Sequence, residues 1–382
     1  MNPRPRYILV GGALVAALVL ALRLAGPDRA EGGHAEGRLA AALGPAGRTL
    51  DALHAPDVAA PPERTLRGPT AAPVPLERAA QDSVFSGSKV VVDGDDVFVV
   101  DFGDRRIKRF SLGGAWRNAI GRGEGDGPGE LRIPTDFAVR GDTVIVADGQ
   151  ARALSFFLRD GTFLRRLSPE GEFFRIAAGE RALFVVTPVP GRLLGLARRD
   201  GTGARWLGPL VARQEVGADY YGLVNADLAA LPAGDGPGNG GERFLYIPEE
   251  ADRIYAFAPD GHLVRVAETV GRRGFPPPDR GPDGLALAPS TAMATSGVSW
   301  VGDALFVGAY VRGRRDEVTG EVVRAPASFV DVYDRATLAY RHSYALPAPL
   351  ALTSAQVVPL GDRLRVYGTR GSGSLVAFEL PG

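Results

Sequence analysis

The sequence predicts an all-β fold: a six-bladed β-propeller of four-stranded antiparallel blades, preceded by an N-terminal transmembrane helix and a linker. Three observations predict it. One strand–turn–strand pattern recurs six times, with copies beginning at residues 97, 144, 183, 244, 305 and 364. Glycine–acid corners precede most copies, and Asp-Gly corners follow several. A single long apolar run stands at the N-terminus, from Tyr7 to Gly26.

The apolar run comes first in the chain. Arg4 and Arg6 precede it, and Arg23 interrupts it near its end. Twenty helical residues cover about 30 Å, the thickness of a bilayer core. Arg23 is close enough to the end to reach the headgroups. Basic residues before the run place residues 1–6 in the cytoplasm and the body outside it. The alternative is a cleaved signal peptide, which would release the body as a secreted or periplasmic protein. Arg23 and Asp28 spoil the small-x-small cleavage sites before Gly26 and Glu31, which favours a retained anchor. Residues 27–61 are rich in Ala, Pro, Gly and Arg and read as a flexible linker. Residues 62–382 form the propeller.

The repeat is clearest in VFVVDFGDRRIKRF (97–110), VIVADGQARALSFF (144–157), LFVVTPVPGRLLGL (183–196) and FLYIPEEADRIYAF (244–257). Weaker copies are LFVGAY (305–310) with SFVDVYD (328–334), and LRVYGTRGSGSLVAFEL (364–380). Each opens with β-branched and aromatic residues, which suit a pleated, half-buried surface. The corners are Gly94-Asp95, Gly141-Asp142, Gly179-Glu180, Gly302-Asp303 and Gly361-Asp362, then Asp160-Gly161, Asp200-Gly201 and Asp260-Gly261. Glycine supplies the positive φ of a tight hairpin. The last copy has room for three strands before Gly382, so residues 62–80 are expected to supply the fourth and close the ring.

GRGEGDGPGELRIPTDFAV (121–139) has the glycine spacing of a phosphate loop. A dinucleotide site needs a long helix after the glycines. Here Pro134 and two strand runs follow, and no Gly-Lys-Ser/Thr occurs. The run is a connector between blades.

Composition narrows the function. Lys+Arg and Asp+Glu balance at 44 each, so net charge gives no bias toward nucleic acid. There is no cysteine, which excludes disulfides, thiolate metal sites and a lipidated cysteine anchor. The body holds only His262 and His342, one after a turn and one in an outer strand, which excludes a polyhistidine zinc site. Calcium needs only oxygens, and Asp101, Asp136 and Asp148 are expected near channel-side strand ends. No Gly-x-Ser-x-Gly occurs.

IGRGEGDGPGELRIPTDFAV, followed by VIVADGQARALSFFLRDGTFLRRL, resembles an NHL repeat. The shared features are a glycine-rich lead, Pro before an inner strand, a V-x-V-A-D run, Arg before an apolar strand, and a D-G turn. The resemblance is close over 120–167, fair over 87–120 and 242–271, and faint over 288–382. It implies a propeller similar to NHL and TolB-like proteins of bacterial envelopes. Related lyases and lactonases hold a metal in the channel with histidines or a Glu, Asn and Asp set.

Candidate ligand-binding residues are arginines. Arg106, Arg152, Arg192 and Arg253 recur at the start of the third strand. Arranged on one face, they would suit a carboxylate, phosphate or sulfated sugar. The competing reading pairs each with an acid of its own blade, such as Asp101 or Asp148. Arg122 and Arg132 lie in the first connector, Arg272 and Arg273 in GRRGFPPPDRGPDG, and Arg314 and Arg315 in the insertion 311–324. A further insertion is read at 217–241. No catalytic residue and no protein-bound metal are assigned. The expected function is a membrane-anchored, non-enzymatic binding or scaffold module for an envelope protein, peptide or glycan. The alternative is a propeller hydrolase or lyase using a channel-bound divalent cation.

Overall fold

A computed structural model describes residues 63–169, 173–187, 193–207, 225–233, 241–249, 253–270, 279–280, 286–287, 293–311, 314–315, 322–324, 327–348, 352–370 and 373–382. The expected transmembrane helix and linker lie outside these residues. Among the described residues no helix is long and apolar enough to cross a membrane.

Six four-stranded antiparallel sheets follow one another. Blade 1 holds β2 (Gly87–Asp93), β3 (Asp96–Asp101), β4 (Arg106–Ser111) and β5 (Trp116–Ile120). Blade 2 holds β6 (Pro134–Arg140), β7 (Thr143–Asp148), β8 (Ala153–Leu158) and β9 (Phe163–Leu167). Blade 3 holds β10 (Arg175–Ala178), β11 (Ala182–Val186), β12 (Leu194–Arg198) and β13 (Arg205–Trp206). Blade 4 holds β14 (Ala226–Leu231), β15 (Arg243–Pro248), β16 (Arg253–Phe257) and β17 (Leu263–Glu268). The short pair β18 (Asp279–Arg280) and β19 (Ala286–Leu287) lies between blades 4 and 5. Blade 5 holds β20 (Met293–Val301), β21 (Ala304–Val311), β24 (Ala327–Asp334) and β25 (Tyr340–Ala345). Between β21 and β24, β22 (Arg314–Arg315) pairs with β23 (Val322–Arg324), so the 311–324 insertion carries its own strand pair. The 217–241 segment is not wholly an insertion: Ala226–Leu231 is the regular inner strand β14, hidden in sequence by its alanines.

Blade 6 holds β26 (Leu352–Leu360), β27 (Arg363–Arg370) and β28 (Leu375–Glu379). Its fourth strand is β1 (Ala72–Val74), which pairs Ala72 with Glu379 and Val74 with Ala377. The ring is therefore closed by the N-terminal side, as the repeat count requires. A five-residue helix, α1 (Arg78–Asp82), then carries the chain into blade 1.

The second strands explain the strongest sequence signal. A strand inside a blade is covered on both faces by neighbouring blades, so it reads as a continuous apolar run. All six residues of β3 are buried. Aromatic side chains fill the seams: Phe184 stacks on Phe244 at 5.4 Å between blades 3 and 4. Phe98, Phe137 and Phe157 share the seam of blades 1 and 2.

Strand direction defines two faces. The hairpins between first and second, and between third and fourth, strands lie on one face, here the hairpin face. The opposite, connector face carries the second-to-third-strand loops and the links between blades. On the hairpin face one stitch repeats. The Arg159 N–H donates to Asp142 O at 3.0 Å, and its guanidinium reaches Gly141 O and the Asp93 carboxylate of blade 1. Likewise the Arg335 N–H donates to Asp303 O at 2.8 Å, and its guanidinium reaches Gly302 O and Pro232 O of blade 4.

Candidate functional site on the connector face

The innermost strand of each blade is a sheet edge, with backbone N–H groups that its own blade leaves unpaired. Polar side chains of one inner strand accept them from the next. Asp136 Oδ2 accepts from Ile176 N at 2.8 Å, and Asp227 Oδ2 from Gly297 N at 2.7 Å. Ser299 Oγ accepts from Val357 N at 2.8 Å. Ser354 Oγ and Gln356 Oε1 accept from Val90 N and Val92 N, at 3.0 and 3.1 Å. These bonds tie blades 2–3, 4–5, 5–6 and 6–1.

Cations bridge the other two seams. Lys89 donates to Asp136 Oδ1 at 2.5 Å and to Phe137 O at 3.0 Å, joining blades 1 and 2. Arg175 donates to Thr135 O at 2.8 Å and to Asn225 Oδ1, reaching from blade 3 to both neighbours. Glu249 lies 3.9 Å from Arg175, and Asn225 donates to it. Burial raises the Asp227 carboxyl above its ordinary value; the Gly297 N–H, Arg175 and Lys89 pull the other way. Lys89 and Asp227 stand near the connector-face ends of the inner strands β2 and β14, in blades 1 and 4, which face each other across the lumen. Lys89 and Lys108 are the only lysines in an arginine-rich chain. An ammonium on a flexible stem fits a narrow lumen better than a planar fork.

The rim of this mouth is built by a second repeated device. Asp101 ends β3 and is wholly buried; it accepts N–H bonds from Phe85, Ser86 and Gly103, each at 2.8 Å. Asp148 ends β7 and accepts from Arg132, Ile133 and Ala151 at 2.7, 2.9 and 3.1 Å. Each carboxylate pins the segment entering its blade. The sequence reading had offered these acids as arginine partners or calcium ligands. Their described contacts are backbone N–H groups, joined at Asp101 by buried Lys108 at 2.7 Å. No group of three or more His, Cys, Asp or Glu suited to a metal occurs among the described residues.

Of the predicted arginines, Arg106, Arg122, Arg132, Arg152 and Arg253 have described side chains. Arg132 forms a fork with Asp126 inside its own connector and depresses that carboxyl, chiefly through the side-chain hydrogen bond. Arg106 donates to Arg122 O at 3.4 Å, which braces the connector from below. Arg122 itself is exposed. Arg152 adopts φ 51° just before β8, and Arg253 opens β16. Arg314 and Arg315 form β22. Arg192, Arg272 and Arg273 lie outside the described residues. The glycine connector closes on itself: Arg122 N donates to Gly129 O and Leu131 N to Gly123 O. Gly121, Gly123 and Gly129 adopt φ between 83° and 99°, which explains these glycines without a phosphate.

Outside this face, Asp334 on the hairpin face is lowered to about 2; burial opposes the shift, and Thr337 and Arg341 drive it. His342 is lowered by burial in its outer strand, and the exposed His262 ring meets its turn neighbour Asp260.

No protein-family model matches the chain, and no curated protein sequence is significantly similar to it. Solved structures do match in fold. A Bacteroides fragilis protein assigned as exported aligns with TM-score 0.53 and 11% identity, over 84% of this chain and 98% of that one. A DUF4221 member from Bacteroides vulgatus aligns with TM-score 0.53 and 12% identity, over 83% and 98%. BamB from Moraxella catarrhalis aligns at TM-score 0.42 and 11% identity, over 81% and 99%, too distantly to argue from. At these identities the likeness is one of fold: the chain is a six-bladed β-propeller of four-stranded antiparallel blades.

Proposed function

We propose that this chain is an extracytoplasmic propeller that binds or scaffolds a protein, peptide or glycan on its connector face without catalysing a reaction. Residues 7–26 anchor it in the membrane. The observation that carries the reading is the use made of the acids around the channel mouth. Asp101 and Asp148 accept backbone N–H bonds that shape the rim, and Asp136 ties the inner strands of blades 2 and 3. They build a preformed surface. The assignment of the Bacteroides fragilis neighbour as exported supports the compartment. The NHL-like connector and V-A-D run support an envelope propeller.

The test is elemental analysis of the purified full chain, with thermal unfolding in calcium and in EDTA. The binding module carries no stoichiometric divalent ion, and its midpoint is the same in both. A stoichiometric ion, with a midpoint that EDTA lowers, overturns this reading in favour of the hydrolase or lyase. Protease digestion of spheroplasts tests the compartment: the propeller is cleaved from outside, and protection would refute its placement.

A further inference from the structure

Phe85 is 64% exposed, the most exposed of the large apolar side chains among the described residues. It is also firmly mounted. Its N–H and that of Ser86 are held by Asp101. The Lys108 ammonium lies 4.5 Å from the ring centroid, covering one face of the phenyl group. Lys108 is itself buried among Asp101, Asp104 and Ser83 O. Bare backbone stands on both sides: a Cβ on Gly103 would lie 2.7 Å from Phe85 Cβ, and one on Gly373 2.5 Å from Phe85 O.

The repeat shows which part of this arrangement the fold requires. In blade 2 the equivalent residue is Arg132, whose N–H is pinned by Asp148 in the same way. The pin needs only a backbone N–H. The phenyl ring is therefore not demanded by the blade, and the fold leaves most of it in water. A rigid aromatic with one face covered loses little entropy on binding, which is the character of an interface anchor.

The charges beside it point to the partner. Asp101 and Asp104 are turned to Lys108. Arg105 lies in the Gly103 loop, with Nη1 bonded to Phe102 O at 2.6 Å. Arg370, exposed, ends β27, and its carbonyl accepts the Gly373 N–H. Arg105 and Arg370 thus belong to the two loops that approach Phe85, one at its side chain and one at its backbone.

Building on the connector-face reading above, we propose that Phe85, Arg105 and Arg370 form a docking patch for a partner protein. Its docking segment presents an apolar side chain between carboxylates. The apolar group covers the open face of the ring, and the carboxylates meet the guanidiniums.

The test is fluorescence anisotropy of the full chain in detergent micelles. The probe is a fluorescein-labelled peptide with a Leu-Phe pair between Asp and Glu residues; its amide counterpart (Asn and Gln) and an alginate oligosaccharide are controls. The acidic peptide binds, and the amide peptide binds at least about tenfold more weakly. Phe85→Ala and Arg370→Glu each weaken binding by about tenfold or more, while Phe85→Trp retains it. Arg370 is exposed, so its variant reports on docking even if Phe85→Ala unfolds. The proposal is overturned if the peptide does not saturate by about 1 mM. It also falls if both variants bind like the parent, if alginate binds in place of peptide, or if the chain self-associates through Phe85. Failure here, with no stoichiometric ion and no effect of EDTA, removes the patch and leaves the binding module standing.

Discussion

Arg64 and Asp331 meet through two parallel N–H···O bonds, 2.8 Å from Nε and 2.7 Å from Nη2. Asp331 is buried in the third strand of blade 5, where Ser343 Oγ also donates to it at 2.7 Å. The Arg64 guanidinium lies 4.6 Å from the Phe329 ring centroid. Around this pair the chain runs parallel to β25: Ser343 donates to Thr65 O, and Arg67 donates to Ser343 O. It then passes to blade 6 as β1. The Arg64 clasp thus fixes the segment that closes the ring. Arg64→Ala leaves a buried carboxylate without its cation and costs about 3 kcal/mol. Arg64→Lys keeps the charge, loses the fork, and costs less. Urea unfolding of both variants checks the order; equal midpoints for Arg64→Ala and the parent would refute the clasp.

Asp101 and Asp148 occupy one position of the repeat, yet removing them should not cost the same. Each holds three backbone N–H groups. Asp148→Ala leaves those donors short of partners, a cost of about 2 kcal/mol or more. Asp101→Ala also strips one of two carboxylates from buried Lys108, raising the cost to about 3 kcal/mol or more. Replacing Lys108 by Met in the Asp101→Ala background should recover part of the loss. A double variant no more stable than Asp101→Ala would show that the lysine is not the source.

The two carboxylates also mark where sequence stops being informative. Repeat count and hairpin corners were legible because each is a local pattern, and closure by residues 62–80 followed from the count. Gly94, Gly141, Gly302 and Gly361 all adopt φ between 55° and 62°, as the corner reading requires. What Asp101 does depends on Phe85, Ser86 and Lys108 arriving at once, and an arginine at position 106 looks like the nearer partner. Lys89, Arg175 and Asp227 come from different blades and meet only when the ring closes. The one available signal was compositional: in a chain whose cations are otherwise arginine, two positions keep lysine.

Asp227 gives the lumen a pH dependence. Its folded value is raised, mainly by burial, so the folded state holds the proton more tightly than the unfolded chain. The sign follows: stability from this group is greatest below the unfolded value, near 3.9, and is lost as pH rises through the raised folded value. Asp227→Asn keeps an acceptor for the Gly297 N–H and removes the titration. The variant should match or trail the parent at pH near 4 and become relatively more stable toward pH 7. Chemical unfolding across that range tests this; parallel curves would refute it.

Gly297 sits where blades 4, 5 and 6 approach one another. It adopts φ +113°, and a Cβ there would lie 2.3 Å from Ala355 O, a backbone atom that cannot swing aside. Its N–H is the donor to Asp227. Gly297→Ala combines backbone strain with a steric clash across the seam, and the expected loss is about 3 kcal/mol. Gly361→Ala, with φ +62° and open space around it, meets only the backbone penalty, about 1 kcal/mol. Thermal unfolding of the pair separates crowding from turn geometry; equal losses would show that the seam can relax.

The scarcity of lysine makes the lumen chemically addressable. Lys108 is 3% exposed and engaged by two carboxylates, whereas Lys89 is 22% exposed at the channel mouth. An amine-selective acetylating ester under native conditions should therefore modify Lys89 well before Lys108, by about tenfold in rate or more. Acetylation removes the ammonium that joins blades 1 and 2 through Asp136 and Phe137 O, so modified protein should unfold at a lower denaturant concentration. Tryptic mapping cannot rely on cleavage at the acetylated site, so arginine-directed digestion with mass spectrometry reads the two positions separately. Preferential modification of Lys108 would place the wrong lysine in the lumen and undo the assignment of the channel mouth.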